Sequence, residues 1–152
     1  MEDAKKLQML RTFYAGALAD SVLRLDRKGI LDEVTAEKRR EQLAGGKARA
    51  EQLGIPDAQS VFEVLSGVFG CANWQTLANE SGFTATASRC MLCTFAKRLG
   101  TQSPCNIYCL DPMEGMVKGL EEGAALQVES TLWTDSQCQV SVKYRGELNG
   151  NA

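Results

Sequence analysis

The sequence predicts an α+β fold, in which N-terminal helices are followed by an antiparallel sheet of about four strands with short inserted helices. Over residues 1–70, apolar side chains recur every three or four positions, as in helices packed on a core. Over residues 71–146, short segments alternate apolar and polar residues, which is typical of strands with one buried face. The 152 residues are 44% hydrophobic and 24% charged, enough for one α+β domain over 1–146, with 147–152 as a flexible tail.

The first helix carries one apolar stripe. Its members recur at helical spacing from Leu7 to Leu25, ahead of Gly29, which breaks the pattern. A stripe of this kind is buried either against the rest of its own chain or against a second copy. We therefore consider a homodimer formed through the first helix as one use of this stripe.

Two further helices are expected before residue 70. Thr35 is expected to cap the second helix, which runs towards Leu53, and Pro56 opens the third. Gly45 and Gly46 weaken the second helix, and they mark either a kink or a close crossing with another helix.

The second half combines strands with short helices. A helix is expected from about Met91 to Leu99. Ser103-Pro104 and Asp111-Pro112 each combine a capping side chain with a proline, which predicts two further helix starts. Alternation of apolar and polar residues predicts strands over 74–77, 83–88, 126–132 and 138–144.

Composition and charge argue against two classes of partner. The formal net charge is −2 and no RNP-like or zinc-finger pattern is present, so we expect no nucleic-acid binding. No apolar run approaches the ~20 residues that a membrane span requires, and the N-terminal residues lack a signal-peptide pattern. We therefore expect a cytoplasmic protein without a membrane partner, with a small molecule as its ligand.

The absence of histidine restricts the available chemistry. Acid–base catalysis would fall to Asp, Glu, Lys, Tyr or Cys, and a soft-metal site would have to be built from thiolates. In a reducing cytoplasm, the six cysteines are expected to be core thiols, metal ligands or catalytic groups rather than a disulfide framework.

A cluster of cysteines carries the candidate chemistry, as a C-x2-C pair and a C-x3-C pair separated by eleven residues: Cys90, Cys93, Cys105 and Cys109. One interpretation is a reactive thiolate. Cys90 lies where a strand leads into a helix, and the helix N-terminus and the adjacent Arg89 would lower the pKa of its thiol. Cys109 precedes the helix start expected at Asp111, and Asp111 is the candidate carboxylate for proton transfer.

Three other interpretations stay open. The same four thiolates could hold zinc or an iron–sulfur cluster, although the spacing matches no ribbon or ferredoxin pattern. Cys90 and Cys93 alone could form a redox dithiol at a helix start. Cysteines are also good small core residues, which is the expectation for Cys71 and Cys138.

Several motifs of the second half occur together: Ser88-Arg89-Cys90, Cys109-Leu110-Asp111, Gly119-Leu120 and, opening the last strand, Cys138. In these motifs the chain resembles the L-2-amino-thiazoline-4-carboxylic acid hydrolase family, which looks like a relative of the 4-vinyl reductase-like small-molecule-binding domains. The resemblance covers about the last seventy residues. It implies an α+β domain with a cysteine-lined pocket, and a hydrolase that opens the thiazoline ring of a cysteine-derived substrate.

The leading hypothesis is therefore a cysteine-centred hydrolase that acts on a small carboxylate-bearing cyclic amidine or a similar C–N bond, without a cofactor. Cys90 or Cys109 would be the nucleophile and Asp111 the proton-transfer group. Arg89 would position the substrate carboxylate or lower the thiol pKa, and Gly119 would let the substrate approach closely. The alternative is a non-catalytic sensor that binds a small molecule, zinc or an iron–sulfur cluster at the four-cysteine site.

Overall fold

The computed structural model describes residues 1–148 and confirms the α+β fold. The helices are α1 (Asp3–Arg27), α2 (Leu31–Gln52), α3 (Ser60–Phe69), α4 (Met91–Leu99), α5 (Asp111–Leu120) and α6 (Arg145–Leu148). The strands are β1 (Gln75–Ala78), β2 (Gly82–Ala87), β3 (Ala125–Ser130) and β4 (Cys138–Lys143). Of the expected tail, residues 147 and 148 end α6, and 149–152 lie outside the described residues.

The sheet is antiparallel with the strand order β1-β2-β4-β3. On β2, Phe83, Ala85 and Ala87 are buried, as their alternation with threonines predicts. They lie opposite buried side chains of β4, with Phe83 beside Val142 and Ala87 beside Cys138. The sheet therefore presents one apolar face to the helices, and the first residue of β4 stands next to the end of β2.

Helix α1 buries only part of its apolar stripe. Ala15, Ala19 and Val22 are fully buried, and Ala19 packs against α4. The apolar side chains nearer the N-terminus are exposed, with Leu10 at 67% and Phe13 at 71% of their full area. Among residues 1–148, no helix combines the length and the apolar character that crossing a bilayer requires. The first half of α1 thus stays available for the homodimer that the sequence suggested, which remains a prediction.

Helices α2 and α5 cross at glycines. A methyl group added at Gly46 would stand 1.9 Å from the carbonyl oxygen of Gly115, and one added at Gly115 would stand 2.2 Å from that of Gln42. One helical turn further along α5, a methyl group added at Gly119 would stand 2.5 Å from the backbone nitrogen of Lys47. The glycines in α2 therefore mark a close helix crossing, which is one of the two alternatives that the sequence left open.

The helix start expected at Thr35 is wrong, whereas α5 does begin at Asp111, although Asp111 does not act as its N-cap. Thr35 lies one turn inside α2, where its hydroxyl donates to the carbonyl of Leu31 at 2.7 Å. Asp111 has helical angles (φ −66°, ψ −44°), because a π-helical turn over Asn106–Leu110 leads directly into α5. The N–H of Asp111 accordingly bonds to the carbonyl of Asn106. Proline has no amide hydrogen, so Pro112 needs no hydrogen-bond acceptor in the turn before it. The pair Asp111-Pro112 is therefore compatible both with a capped helix start and with a helix that continues from a π-turn.

The glycine crossing can be tested by alanine substitution. Gly46→Ala should lower the free energy of unfolding by about 2 kcal/mol or more, because the added methyl group has no space between α2 and α5. Gly45→Ala is the matched control, since nothing lies within 4 Å of its added methyl group. It should raise stability by roughly 0.5–1 kcal/mol through the higher helix propensity of alanine. Urea unfolding of both variants measures the difference, and equal effects would contradict the crossing.

Candidate functional site

Cys90 caps the N-terminus of α4, as the sequence predicts. Its backbone is extended (φ −147°, ψ 112°), and its sulfur accepts a hydrogen bond from the N–H of Cys93 at 3.4 Å. Cys90 also pairs with Ala72 across an isolated β-bridge, while the N–H of Met91 donates to the carbonyl of Cys71 at 2.7 Å. The end of β2 and the segment after α3 together hold this thiol at the helix start.

Cys93 and Cys105 join α4 to the segment that begins the π-turn. Their sulfurs lie 3.6 Å apart, and both side chains are buried. The N–H of Cys105 donates to the hydroxyl of Ser103 at 3.1 Å, which fixes the start of this helical segment. The two cysteines are distant in sequence, so their contact depends on the packing of α4 beside the π-turn.

A small cavity of about 10 Å³ lies among the thiols of Cys90, Cys93, Cys105, Cys109 and Cys138. Cys138 enters this cluster from β4, and its sulfur accepts the N–H of Leu132 at 3.2 Å. Apart from the motif resemblance, the sequence predicts an ordinary core thiol at this position. The pairing of β4 with β2 brings Cys138 to the cluster. Cys138 lies opposite Ala87, and Ala87 is three residues before Cys90 in the sequence.

The thiols of the cluster differ in acidity. The pKa of Cys90 is lowered to about 7 by hydrogen bonds from the thiol of Cys93 and from the N–H groups of Cys93 and Leu92, which outweigh burial. The pKa of Cys105 is lowered to about 7 by the Cys93 thiol and, less strongly, by the hydroxyl of Ser103. The pKa of Cys93 is raised, first by its hydrogen bond to the Cys105 thiol and then by the neighbouring Cys90 thiol and by burial. The lowered pKa of Cys90 thus comes first from the Cys93 side chain and then from the helix-start amides, whereas Arg89 is not among the causes.

The remaining cysteines are poor nucleophiles at neutral pH. Burial raises the pKa of Cys71 to about 11, and it does the same for Cys138. Burial also raises the pKa of Cys109 well above its usual value, and neighbouring thiols add to this effect. The surface that Cys109 retains borders a partly open cavity. Of the two candidate nucleophiles, Cys90 is therefore the one that ionises near pH 7.

Cys90 borders two larger spaces. The first is a partly open cavity of about 350 Å³ between α1, α2, α3 and α5, which Cys71 and Cys109 also line. The walls of this cavity are mainly apolar: Leu18, Leu53, Leu65, Phe69, Trp74, Leu92, Met113 and Met116. The second is an open groove of about 800 Å³ beside α4. Its charged lining consists of three cations, Arg89, Lys97 and Arg98, and one anion, Asp135.

Arg89 and Cys90 share the groove, so the structure brings these two candidate residues together. The structure does not bring Asp111 to the thiols. Its carboxylate is 2.8 Å from the guanidinium of Arg39, which also binds Glu114 at 2.9 Å, and this network lines a separate recess. Burial raises the pKa of Asp111, while the Arg39 ion pair opposes the rise. Arg39 has no motif that would have identified it in the sequence.

Gly119 lies at the crossing of α5 with α2, where the close approach is made by the backbone of Lys47. The space that a side chain at this position would fill is therefore taken by a neighbouring helix. This matches the role of a packing glycine, and it places Gly119 apart from the groove and its thiols.

The thiol cluster does not provide a recognisable metal site. Within residues 1–148, no group of three or more Cys, Asp or Glu side chains is arranged to hold a metal ion. The space among the thiols is about 10 Å³, which is close to the volume of one water-sized sphere and too small for an iron–sulfur cluster. The structure thus gives no support to zinc or a cluster at Cys90, Cys93, Cys105 and Cys109.

No family model, curated protein or solved structure matches this chain. The likeness to the thiazoline-carboxylate hydrolases therefore remains a resemblance in motifs, and the function is argued from the chain's own residues.

The acidity of Cys90 can be measured directly. Alkylation of the peptide that contains Cys90, followed by mass spectrometry, should accelerate with rising pH around a midpoint near 7, because the thiolate is the nucleophile. Cys138 should stay slow throughout neutral pH, since its pKa is about 11. Cys90→Ser should remove the fast reaction. A midpoint for Cys90 near that of an ordinary free thiol would contradict the assignment.

Proposed function

We propose that this protein is a cysteine-centred hydrolase that acts on a small carboxylate-bearing cyclic amidine or a related C–N bond. The observation that carries the proposal is the shared groove, where the thiol with the lowered pKa, Cys90, lies beside Arg89. A nucleophile and a carboxylate-binding cation in one open site are what such a reaction requires.

The charge of the groove favours an anionic substrate. The lining of the groove contains three cationic side chains, those of Arg89, Lys97 and Arg98, and one carboxylate, that of Asp135. Lys97 is held in place, because its ammonium group donates to the carbonyl of Leu132 at 2.9 Å. An arginine can bind a carboxylate through two parallel hydrogen bonds, which would orient the substrate relative to the thiol.

The backbone before Cys90 is also fixed. The side-chain oxygen of Asn73 accepts the N–H groups of Ser88 and Arg89, each at 2.9 Å. The side-chain amide of Asn73 in turn donates to the hydroxyl of Ser88 at 2.9 Å. These bonds hold Arg89 and Cys90 in a constant relative position, which a two-point recognition of substrate needs.

In the proposed reaction, the Cys90 thiolate adds to the amidine carbon and pushes the electron pair of the C=N bond onto nitrogen. Cleavage of the ring bond expels its heteroatom, which takes a proton from water in the open groove. A water molecule then adds to the carbon bound to sulfur, and the thiolate leaves with its electron pair. The net change is the addition of one water across the ring bond. Asp111 is given no step, because it faces Arg39.

Substitution of the two candidate nucleophiles tests the hydrolase. Cys90→Ser should lower kcat/KM for an aminothiazoline carboxylate by at least about a thousandfold, as expected when a nucleophile is removed. Cys109→Ser is the matched control and should keep most of the activity, because burial holds its thiol protonated. Product formation is followed by chromatography. Full activity in Cys90→Ser would eliminate the proposal.

The same assay examines Arg89. Arg89→Gln should raise KM more than it lowers kcat, because the carboxylate contact is made in the ground state as well as in the transition state. Arg40→Gln serves as a control, since Arg40 is an exposed residue of α2 outside the groove. An unchanged KM in Arg89→Gln would remove the carboxylate-binding role.

The partly open cavity of about 350 Å³ favours a second candidate function, the binding of a small molecule without turnover. Gln42 lines this cavity and is 6% exposed. Its amide nitrogen donates to the carbonyl of Ile107 at 3.4 Å, whereas its side-chain oxygen has no hydrogen-bond partner within the described residues. A buried acceptor without a partner is costly, so a turn of the Gln42 side chain that brings this oxygen to an N–H group of a ligand in the cavity would be favoured.

The cavity also indicates the remaining chemistry of such a ligand. Its volume of about 350 Å³ is in the range of drug-sized ligands, and its walls are mainly apolar. Lys38, Glu41 and Arg49 of α2 supply charged groups to its lining. We expect an apolar molecule with an N–H group and an anionic end, which is larger than the substrate expected in the groove.

An anilinonaphthalene sulfonate, with its amine and its sulfonate on different rings, combines these three features and serves as the probe. Its fluorescence should increase when it binds in the cavity. Leu65→Trp should fill part of the cavity and lower the affinity for the probe at least about tenfold. Val68→Trp is the control on the same helix, because Val68 is 49% exposed and outside the cavity. Gln42→Leu should also weaken binding. Equal binding by Leu65→Trp and the unmodified protein would place the probe elsewhere.

The zinc or iron–sulfur alternative and the homodimer through α1 remain predictions. Metal and acid-labile sulfide content of protein purified without oxygen would decide the first. Sedimentation of the unmodified chain and of Phe13→Asp would decide the second, because Phe13 is the most exposed of the large apolar side chains on α1.

A further inference from the structure

Three sulfur atoms follow one another from the surface of the groove into the core. Cys90 lines the groove and is partly exposed. Cys93, one helical turn further on, is 4% exposed and hydrogen-bonds to Cys90. Cys105 is 9% exposed, and its sulfur lies 3.6 Å from that of Cys93. The hydrolase proposal uses only the first of these thiols.

We propose that Cys90, Cys93 and Cys105 carry out thiol–disulfide exchange with a low-molecular-weight disulfide and store the product as a buried disulfide between Cys93 and Cys105. The first step is attack of the Cys90 thiolate on one sulfur of the disulfide. A mixed disulfide forms at Cys90, and the other half of the substrate leaves as a thiolate.

The second step resolves the mixed disulfide. Cys93 passes its proton to the Cys105 thiolate, whose sulfur lies 3.6 Å away, and attacks the sulfur of Cys90, which expels the second half of the substrate as a thiolate and leaves a Cys90–Cys93 disulfide. Cys105 then attacks Cys93, which gives a Cys93–Cys105 disulfide. The proton that Cys105 carried passes to the released sulfur of Cys90, which ionises again at the groove. In total the substrate disulfide gains two electrons and the protein dithiol loses two.

The surroundings of the three sulfurs suit this exchange. The sulfurs of Cys93 and Cys105 must approach by roughly 1.5 Å to reach bonding distance, and the small cavity of about 10 Å³ beside them leaves room for side-chain rotation. Cys90 ionises near neutral pH, as an attacking thiol should. Two other cysteines line the groove. Cys71 competes poorly because burial raises its pKa to about 11, and Cys93 is almost completely buried.

The arrangement assigns different tasks to an accessible thiol and to a buried pair. After transfer to Cys93 and Cys105, the disulfide is shielded from solvent while Cys90 is free again. A low-molecular-weight thiol would reverse the sequence through Cys90. This exchange does not rest on the hydrolase chemistry, because it requires Cys93 and Cys105, which hydrolysis does not use.

The experiment uses the reduced protein and one equivalent of dithiobis(nitrobenzoate), an aromatic disulfide that releases a yellow thiolate. The unmodified protein should release two thiolates per chain, because the mixed disulfide is resolved internally. Peptide mapping should then show a Cys93–Cys105 disulfide. Release of a single thiolate with a lasting adduct on Cys90, or a mapped disulfide that omits Cys93, would overturn the proposal.

Single variants separate the steps. Cys93→Ser should release one thiolate and keep the adduct on Cys90, whereas Cys105→Ser should release two and form a Cys90–Cys93 disulfide. Cys109→Ser is the matched control, since this thiol also borders the small cavity but has no place in the sequence of exchanges. It should behave as the unmodified protein. Two thiolates from Cys93→Ser would assign the resolving step to another cysteine and refute the scheme.

Discussion

The close crossing of α2 and α5 is the constraint on which the rest of the structure depends. Because Gly46 and Gly115 carry no side chain, the two helix backbones meet directly. Side chains would push the helices to the usual separation of about 8–10 Å. The crossing holds α5 and the π-turn that precedes it, so it also decides where Cys105 and Cys109 come to lie. A loss of contact at the glycines would therefore disturb the thiol cluster, although no glycine touches a sulfur.

The π-turn determines which side chains meet the thiols. It places Cys109 at the partly open cavity, whereas Asp111 turns towards α2 and pairs with Arg39. Both carboxylates of the Arg39 network are almost completely buried, so Asp111 depends on that guanidinium for compensation, and Glu114 depends on it and on the ammonium group of Lys118 at 2.7 Å. Asp111 is thus a partner in helix packing, and the thiol site has to take its protons from elsewhere. The groove, which is open to solvent, can supply them.

The cluster of thiols is assembled from three separate segments of the chain: the start of α4, the π-turn and the start of β4. This arrangement explains why the thiols differ in acidity. Cys90 and Cys105 accept hydrogen bonds from a neighbouring thiol and from groups at helix starts, whereas Cys109 and Cys138 are mainly desolvated. One accessible thiol of lowered pKa beside a buried pair of thiols suits both covalent chemistry at Cys90 and transfer of oxidation to Cys93 and Cys105.

The sequence by itself determined the α+β class, the extent of α4, the alternation along β2 and the position of Cys90 at a helix start, because each depends on residues within a few positions of one another. The lowered pKa of Cys90 could also be predicted from the sequence, since part of it comes from the backbone N–H of Cys93, three residues further along the chain. Only the tertiary structure decided that Cys93 meets Cys105, that Cys138 joins the cluster and that Gln42 keeps a buried oxygen without a partner among the described residues. These contacts depend on strand register and on a helix crossing between distant segments, and local patterns contain neither.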